Sequence, residues 1–310
     1  MSENVEIKNK SNIKKKDKKK YEFDFDELKM FFCEPYLIKM ENGKYIEITQ
    51  PSIGDILKLG DRKVYSSISP FVSNSTSYRV QLWDAGIDWN KLSDYELFIS
   101  LVPHINNVDF LFKKVDFIEN FDCNEEISDK EIIFENKRYN KIYNNIDFSR
   151  LCAYVKENNS VENIKEIVLY DPEQEIIINE ETYMHIREYI RMMFNNYPKE
   201  EFAKGKLAKQ WIIDEEKEKI KLENEKESRK KSILLPMVSS LLNHPGFKYD
   251  LNGMKKLGIF AFMDSVRRLQ IYEQCVAFMG GMYSGMMDTS KLGQEELNKR
   301  VNWLQDIYEE

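Results

Sequence analysis

Histidine and cysteine are scarce in this 310-residue chain, at three and four copies. His104, His185 and His244 lie far apart, and none is within helical reach of another histidine or a cysteine. A zinc site would therefore need long-range convergence. Cys33, Cys123, Cys152 and Cys275 form no CxxC pair, and reduced, mostly buried thiols are the expected state. No apolar run approaches the roughly 20 residues that a membrane helix needs, so no spanning segment is expected. The phosphate-cradling loops GxxxxGK[ST] and GxGxxG are missing, as are a GxSxG elbow and an HExxH pair. No catalytic residue, cofactor or resident metal is expected, and the chain reads as a non-enzyme. Asp84, Asp88 and Asp94 are close in sequence but lack the glycine and terminal glutamate of a calcium loop, which favours caps and solvated charges. A dispersed acidic metal site is the enzymatic alternative, and Mg²⁺ or Mn²⁺ would then raise the melting temperature.

A general basic excess is also lacking: 53 acidic residues face 46 basic ones, for a net charge of −7. The charge is unevenly spread. The first twenty residues carry eight lysines against three acids, a net +5, which leaves −12 on the other 290. That segment has no apolar stretch of the signal-peptide type. Too polar to offset its ordering entropy, it is expected to be a disordered basic tail over 1–20, with order beginning near Tyr21. A solubilising role is the plainer reading. A weak contact with nucleic acid is the functional alternative, although no arginine or aromatic residue interleaves the lysines.

What is present is material for cores: 42% of residues are hydrophobic and 13% aromatic, too many for a disordered chain. Asn42-Gly43 between Pro35–Met40 and Tyr45–Ile48 is a strong hairpin signal. Ser52 and Ser93 are candidate helix caps, the second with Glu96 three residues on. Pro70 should interrupt the helix after Tyr65. Val108, Leu111, Phe112 and Val115 have helical spacing. Glu131–Phe134 and Arg138–Tyr143 suggest a second hairpin, Phe148–Val155 reads as helix, and Glu166–Tyr170 and Glu175–Ile178 read as strands. Asn179 or Glu180 then opens a helix reaching Phe194.

Residues 200–231 change character. Between Asp214 and Lys231, seven acids and seven bases fill 14 of 18 positions, with Glu215→Lys219, Glu225→Arg229 and Glu227→Lys231 in the favourable i,i+4 order. Only Ile220 and Leu222 are apolar there, so the segment reads as a solvent-exposed helical connector rather than a coiled-coil seam. Residues 232–310 then read as a helical unit. A short helix ends at Asn243, Asn252 caps a long one, Gly280-Gly281 loosens it, and a last helix carries Leu297, Val301, Leu304 and Ile307. The expected fold is α+β and mostly helical: an α+β domain over 21–199, the connector over 200–231 and a helical domain over 232–310.

Candidate partner-binding residues are few. Trp83 and Trp89 suit the core of a helical cluster, with anchorage of a partner as the alternative. Met279, Met282, Met286 and Met287, with Tyr283, are a core cluster or a plastic partner surface.

Two groups of segments resemble a known class. They are Gln50-Pro51-Ser52-Ile53-Gly54-Asp55-Ile56 with Gly86-Ile87-Asp88-Trp89 and Asp94-Tyr95-Glu96-Leu97-Phe98, and Asn243-His244-Pro245-Gly246-Phe247 with Gly281-Met282-Tyr283-Ser284-Gly285. Together they resemble tail-assembly proteins of bacteriophages and prophages of Gram-positive hosts, including proteins placed near the tail-assembly chaperones, over about half the chain. The resemblance implies an acidic, helical, non-enzymatic protein of the bacterial host cytoplasm that binds other tail proteins, such as the tape-measure or tail-tube protein. Incorporation in the virion and a homo-oligomer both stay open. The strand-containing middle and the basic N-terminus depart from the chaperone pattern, and no functional residue transfers.

Overall fold

The computed structural model describes residues 5–7, 23, 25–120, 131–134, 137–157, 165–226, 231–287 and 292–305. The fold is α+β and mostly helical, as expected from the sequence. The elements in chain order are β1 (Val5–Ile7), α1 (Glu27–Phe31), β2 (Tyr36–Lys39), β3 (Tyr45–Ile48), α2 (Ile53–Leu59), α3 (Asp61–Val72), α4 (Arg79–Asp84) and α5 (Asp94–Leu101). Next come β4 (Phe112–Asn120), β5 (Glu131–Phe134), β6 (Lys137–Asn145), β7 (Cys152–Glu157), β8 (Lys165–Asp171), β9 (Ile176–Ile178), α6 (Glu180–Met193) and β10 (Glu201–Ala203). The last are α7 (Lys206–Lys226), α8 (Leu235–Asn243), α9 (Leu251–Lys256), α10 (Ile259–Tyr283) and α11 (Gln294–Val301).

Local chemistry explains many of the boundaries. The β2–β3 hairpin turns at Asn42-Gly43, where Gly43 takes φ +81° and Asn42 Oδ1 accepts from Lys44 N at 3.1 Å. Ser52 and Ser93 cap α2 and α5 in reciprocal capping boxes with Asp55 and Glu96. Asn179 caps α6 by accepting from Thr182 N at 2.8 Å. Pro70 does not end α3. The carbonyl that loses its partner belongs to Ser66, which is exposed, so water can satisfy it.

Two segments expected as helix are strands. Val108–Leu111 forms a turn, with Leu111 N donating to Val108 O at 2.8 Å, and β4 follows between β3 and β6. Phe112 and Val115 are fully buried in that central strand, three residues apart and so on its opposite faces, a spacing that a helix would also give. Phe148–Arg150 is a single 3₁₀ turn, after which β7 pairs antiparallel with β8 from Cys152↔Tyr170 onward. The three sheets of the described residues are antiparallel, ordered β2-β3-β4-β6-β5, β7-β8-β9 and β1-β10. Val5–Ile7 lies inside the segment expected as a tail, yet its backbone pairs with Glu201–Ala203. The lysines of that segment lie outside the described residues.

The main core is aromatic. Phe71 stands 4.8 Å from Phe112 and 5.3 Å from Phe148, and Phe98 stacks on Tyr183 at 4.4 Å between ring centres. This core crosses the expected boundary at 200–231: Leu234, Leu241, Met254, Ile259, Phe260 and Phe262 pack into it. Residues 232–263 therefore share a core with 21–199 instead of forming a separate helical domain. The long helix expected from Asn252 is broken in two. Asp250, rather than Asn252, caps α9, and the chain kinks at Leu257-Gly258, where Ile53 N donates to Leu257 O and Ile259 N to Pro51 O. Gly258 is required there, because a Cβ would overlap Gln50 Oε1 and Cys33 Sγ. Gln50 in turn accepts from Phe260 N at 2.9 Å and donates to Met30 O at 2.9 Å, which ties α10 to α1.

A smaller core of Leu82, Trp89, Ala203, Ile212 and Ile213 docks the first half of α7. Ion pairs reinforce it: Arg79 with Glu216 at 2.5 Å and with Glu201, Lys209 with Asp88 at 2.6 Å, Lys217 with Asp84 at 2.6 Å. Only the later turns match the solvent-exposed connector, where Glu215–Lys219 forms the expected i,i+4 pair at 2.7 Å. The pairs involving Glu227 and Arg229 fall outside the described residues.

Glu175, held at φ +55°, joins the two larger sheets. Its carboxylate takes Lys114 Nζ at 2.8 Å and also Lys44, and its carbonyl accepts from Asn42 Nδ2 at 2.7 Å. Lys114 and then Lys44 pull its pKa from 4.5 to about 2. A depressed folded-state pKa gives stability that is present above 4.5 and lost as pH falls toward 2. The melting temperature of the parent protein should fall more steeply through this window than that of Glu175→Gln, as calorimetry at stepped pH would show. Parallel curves would contradict the role.

Candidate partner-binding surface

Beyond Leu269, α10 leaves the main core and carries two stripes at coiled-coil spacing. Ile271, Cys275 and Phe278 face α11. Tyr272, Val276, Met279 and Tyr283 follow steps of four and three residues and turn outward, a seam that keeps one face toward a partner helix, and Met286 lies just beyond the helix end. Tyr283 is 84% exposed and Met286 90%, so the methionine cluster is not core in this structure. Met282 is half-buried beside them. Gly280 and Gly281 do not interrupt the helix, and a Cβ on Gly280 would meet nothing within 4 Å.

The inner stripe lines a cleft of about 530 Å³ with Glu296, Lys299, Arg300 and Gln305. The Arg300 guanidinium lies 5.5 Å over the Phe278 ring. Arg268 Nη1 donates to Trp303 O at 3.1 Å and to Gln305 O at 2.7 Å, and Tyr272 meets Trp303 edge-on at 6.0 Å. Of the residues expected on the last helix, Leu297 and Val301 lie on α11, Leu304 lies beyond it and is exposed, and Ile307 is outside the described residues. Burial raises the carboxyl pKa of Asp264, against the pull of Arg268 one turn on.

The tryptophans lie elsewhere. Trp89 is 1% exposed, donates Nε1 to Glu201 O at 3.3 Å and has Lys209 Nζ 5.6 Å above its ring, so it is not an exposed anchor. Trp83 packs edge-on against it at 5.9 Å and is half-buried. Gly86 caps α4: it takes φ +76° and Ile87 N reaches back to Leu82 O. The structure does not bring the tryptophans and the methionine stripe into one site.

Asp84, Asp88 and Asp94 go to separate cations: Lys217, Lys209 and Arg187. Among the described residues no three His, Cys, Asp or Glu side chains are placed to share a metal ion. His185 bonds Tyr36, His244 bonds Glu273 at 3.0 Å, and His104 is exposed. Cys33 and Cys152 are exposed, against the expectation of burial, whereas Cys275 is buried and Cys123 lies outside the described residues. No helix among the described residues is long and apolar enough to cross a membrane.

The outward stripe was readable as a 3.5-residue period from Tyr272 to Met286. Its exposure was not, because the same period also suits a core helix. Comparison with protein-family models, with curated proteins and with solved structures produced no match for this chain.

Proposed function

We propose that the protein is a non-enzymatic binding protein of phage tail assembly, working through the distal half of α10. The observation that supports this reading most is the outward apolar stripe from Tyr272 to Tyr283 on the helix, continued by Met286 just beyond its end and largely exposed at that tip. Exposed apolar patches of this kind mark interaction surfaces. The resemblance of Asn243–Phe247 and Gly281–Gly285 to tail-associated proteins supplies the phage context. The first segment is a turn tied to α10 through His244 and Glu273, and the second ends the helix, so both belong to this arm. Tape-measure and tail-tube proteins are the partners proposed.

The test is co-expression of the full chain with the tape-measure and tail-tube proteins of the same genome. A complex should co-purify, and Tyr283→Lys with Met286→Lys should weaken it tenfold or more while leaving the melting temperature within about 1 °C. Exposed side chains can be lost without a stability cost, whereas central apolar anchors each carry a large share of binding. A complex indifferent to the double variant, or no complex across salt concentrations, would refute the reading.

A further inference from the structure

The outer edge of β2 faces α6 across a groove of about 360 Å³, lined by Tyr36 to Glu41 on one side and by Asn179, Glu181, Thr182 and His185 on the other. β2 is the outermost strand of its sheet. Hydrogen bonding in its hairpin alternates, and the Met40 N to Lys44 O bond sets the phase. Tyr36, Ile38 and Met40 therefore bond inward to β3, while Leu37 and Lys39 turn their N–H and C=O groups into the groove. No described group meets them there.

The groove has defined ends. At one, the Tyr36 hydroxyl and His185 Nδ1 lie 3.0 Å apart. At the other, Asn179 Nδ2 donates to Glu41 Oε1 at 2.8 Å and Ile177 N donates to Met40 Sδ at 3.4 Å. The strand between them runs about 17 Å at about 3.3 Å per residue. Asn179, Thr182 and His185 succeed one another every three residues and share one face of the helix. The helical wall contributes one carboxylate, Glu181, and the strand contributes Glu41 and the exposed Lys39. Glu41 is already taken by Lys156 at 2.7 Å, but Glu181 is exposed and makes no ion pair among the described residues.

We propose that this groove binds an extended segment of a partner protein, which adds to β2 as a further strand and places a lysine or arginine opposite Glu181. Alternating outward donors and acceptors are matched by another extended main chain, which is how sheet edges recruit peptides. A free carboxylate on the helical wall selects a cation on the incoming strand. The site lies on different elements from the α10 stripe, so either can fail without the other.

The probe is a fluorescent, acetylated and amidated hexapeptide of alternating lysine and valine, titrated against the full chain by anisotropy. Three comparisons define the outcome. Methylating alternate main-chain nitrogens of the peptide should cost tenfold or more, as should Lys39→Pro, which removes an outward N–H and leaves the β3 ladder intact. Lys39→Ala, with an unchanged melting temperature in both variants, separates the amide from the side chain. Glu181→Lys should weaken binding fivefold or more, and a glutamate–valine hexapeptide should bind the parent protein correspondingly worse. Amide exchange at Leu37 and Lys39 should slow when the peptide is bound. Absence of binding, binding indifferent to main-chain methylation and to Lys39→Pro, or equal binding of the two peptides would overturn the proposal. So would slow exchange at these amides without peptide and with a concentration-dependent mass, since two copies would then be pairing edge to edge.

Discussion

Replacing Arg187 with alanine should destabilise the protein by about 3–5 kcal/mol, the usual cost of leaving buried charges without their counter-charge. Arg187 is 2% exposed on α6. It donates Nη1 to Asp94 Oδ2 at 2.6 Å, and both Nε and Nη2 to Glu188 Oε1, at 3.1 and 2.9 Å. Asp94 opens α5, so the pair fixes the start of that helix against α6. Arg191 lies one turn on, where it donates to Val72 O at 2.9 Å and to Ser73 O at 3.2 Å. The network thus also ends α3. Removing Arg187 leaves Asp94, whose side chain is 16% exposed, with Arg191 at 3.6 Å as its remaining cation. Urea unfolding of Arg187→Ala would measure the loss, and a cycle with Asp94→Ala would show coupling, because the two side chains touch. A loss under about 1 kcal/mol would mean that water reaches these groups and the network is peripheral.

Trp89→Ala should cost about 3–5 kcal/mol, as expected for deleting a buried indole. The loss should be local. Trp89 fills a core shared only by Leu82, Ala203, Ile212, Ile213 and their half-buried neighbours, so it holds α4, β10 and the first half of α7 together. Amide exchange should quicken over Ala208–Asp214 and around Leu82 before it changes in α6. The ion pairs of Arg79, Lys209 and Lys217 cannot compensate, because such partly exposed pairs contribute little once the apolar surface between them is gone. If Trp89→Ala left exchange in α7 unchanged and only weakened a partner complex, the indole would be an anchor, and its burial would be incidental.

How far the sequence could be read differs from element to element. The β2–β3 hairpin and the starts of α2, α5 and α6 were legible, because Asn42-Gly43, Ser52, Ser93 and Asn179 act on backbone within three residues. The start of β4 was not, because Val108–Val115 satisfies a helical period while its burial depends on β3 and β6, which flank it from distant parts of the chain. Phe148–Val155 failed likewise: β7 exists because β8 pairs with it. The candidate site divided along the same line. A seam from Tyr272 to Met286 could be counted in the sequence, but not which residues the fold would cover: Met286 and Trp89 both read first as core, and Trp89 is buried whereas Met286 is exposed.

By itself, then, the sequence determined the caps, the tight turns, the mixed α+β composition and the uneven distribution of charge. All of these depend on side chains acting on their own neighbourhood or on simple counting. Only the tertiary structure decided that residues 232–263 join the main core, that Gly258 must admit Gln50 and Cys33, that the charged connector docks through Ile212 and Ile213, and that Leu37 and Lys39 face an open groove. Each of these depends on apolar surface or hydrogen-bonding groups meeting partners remote in sequence, and burial is a property of both partners at once.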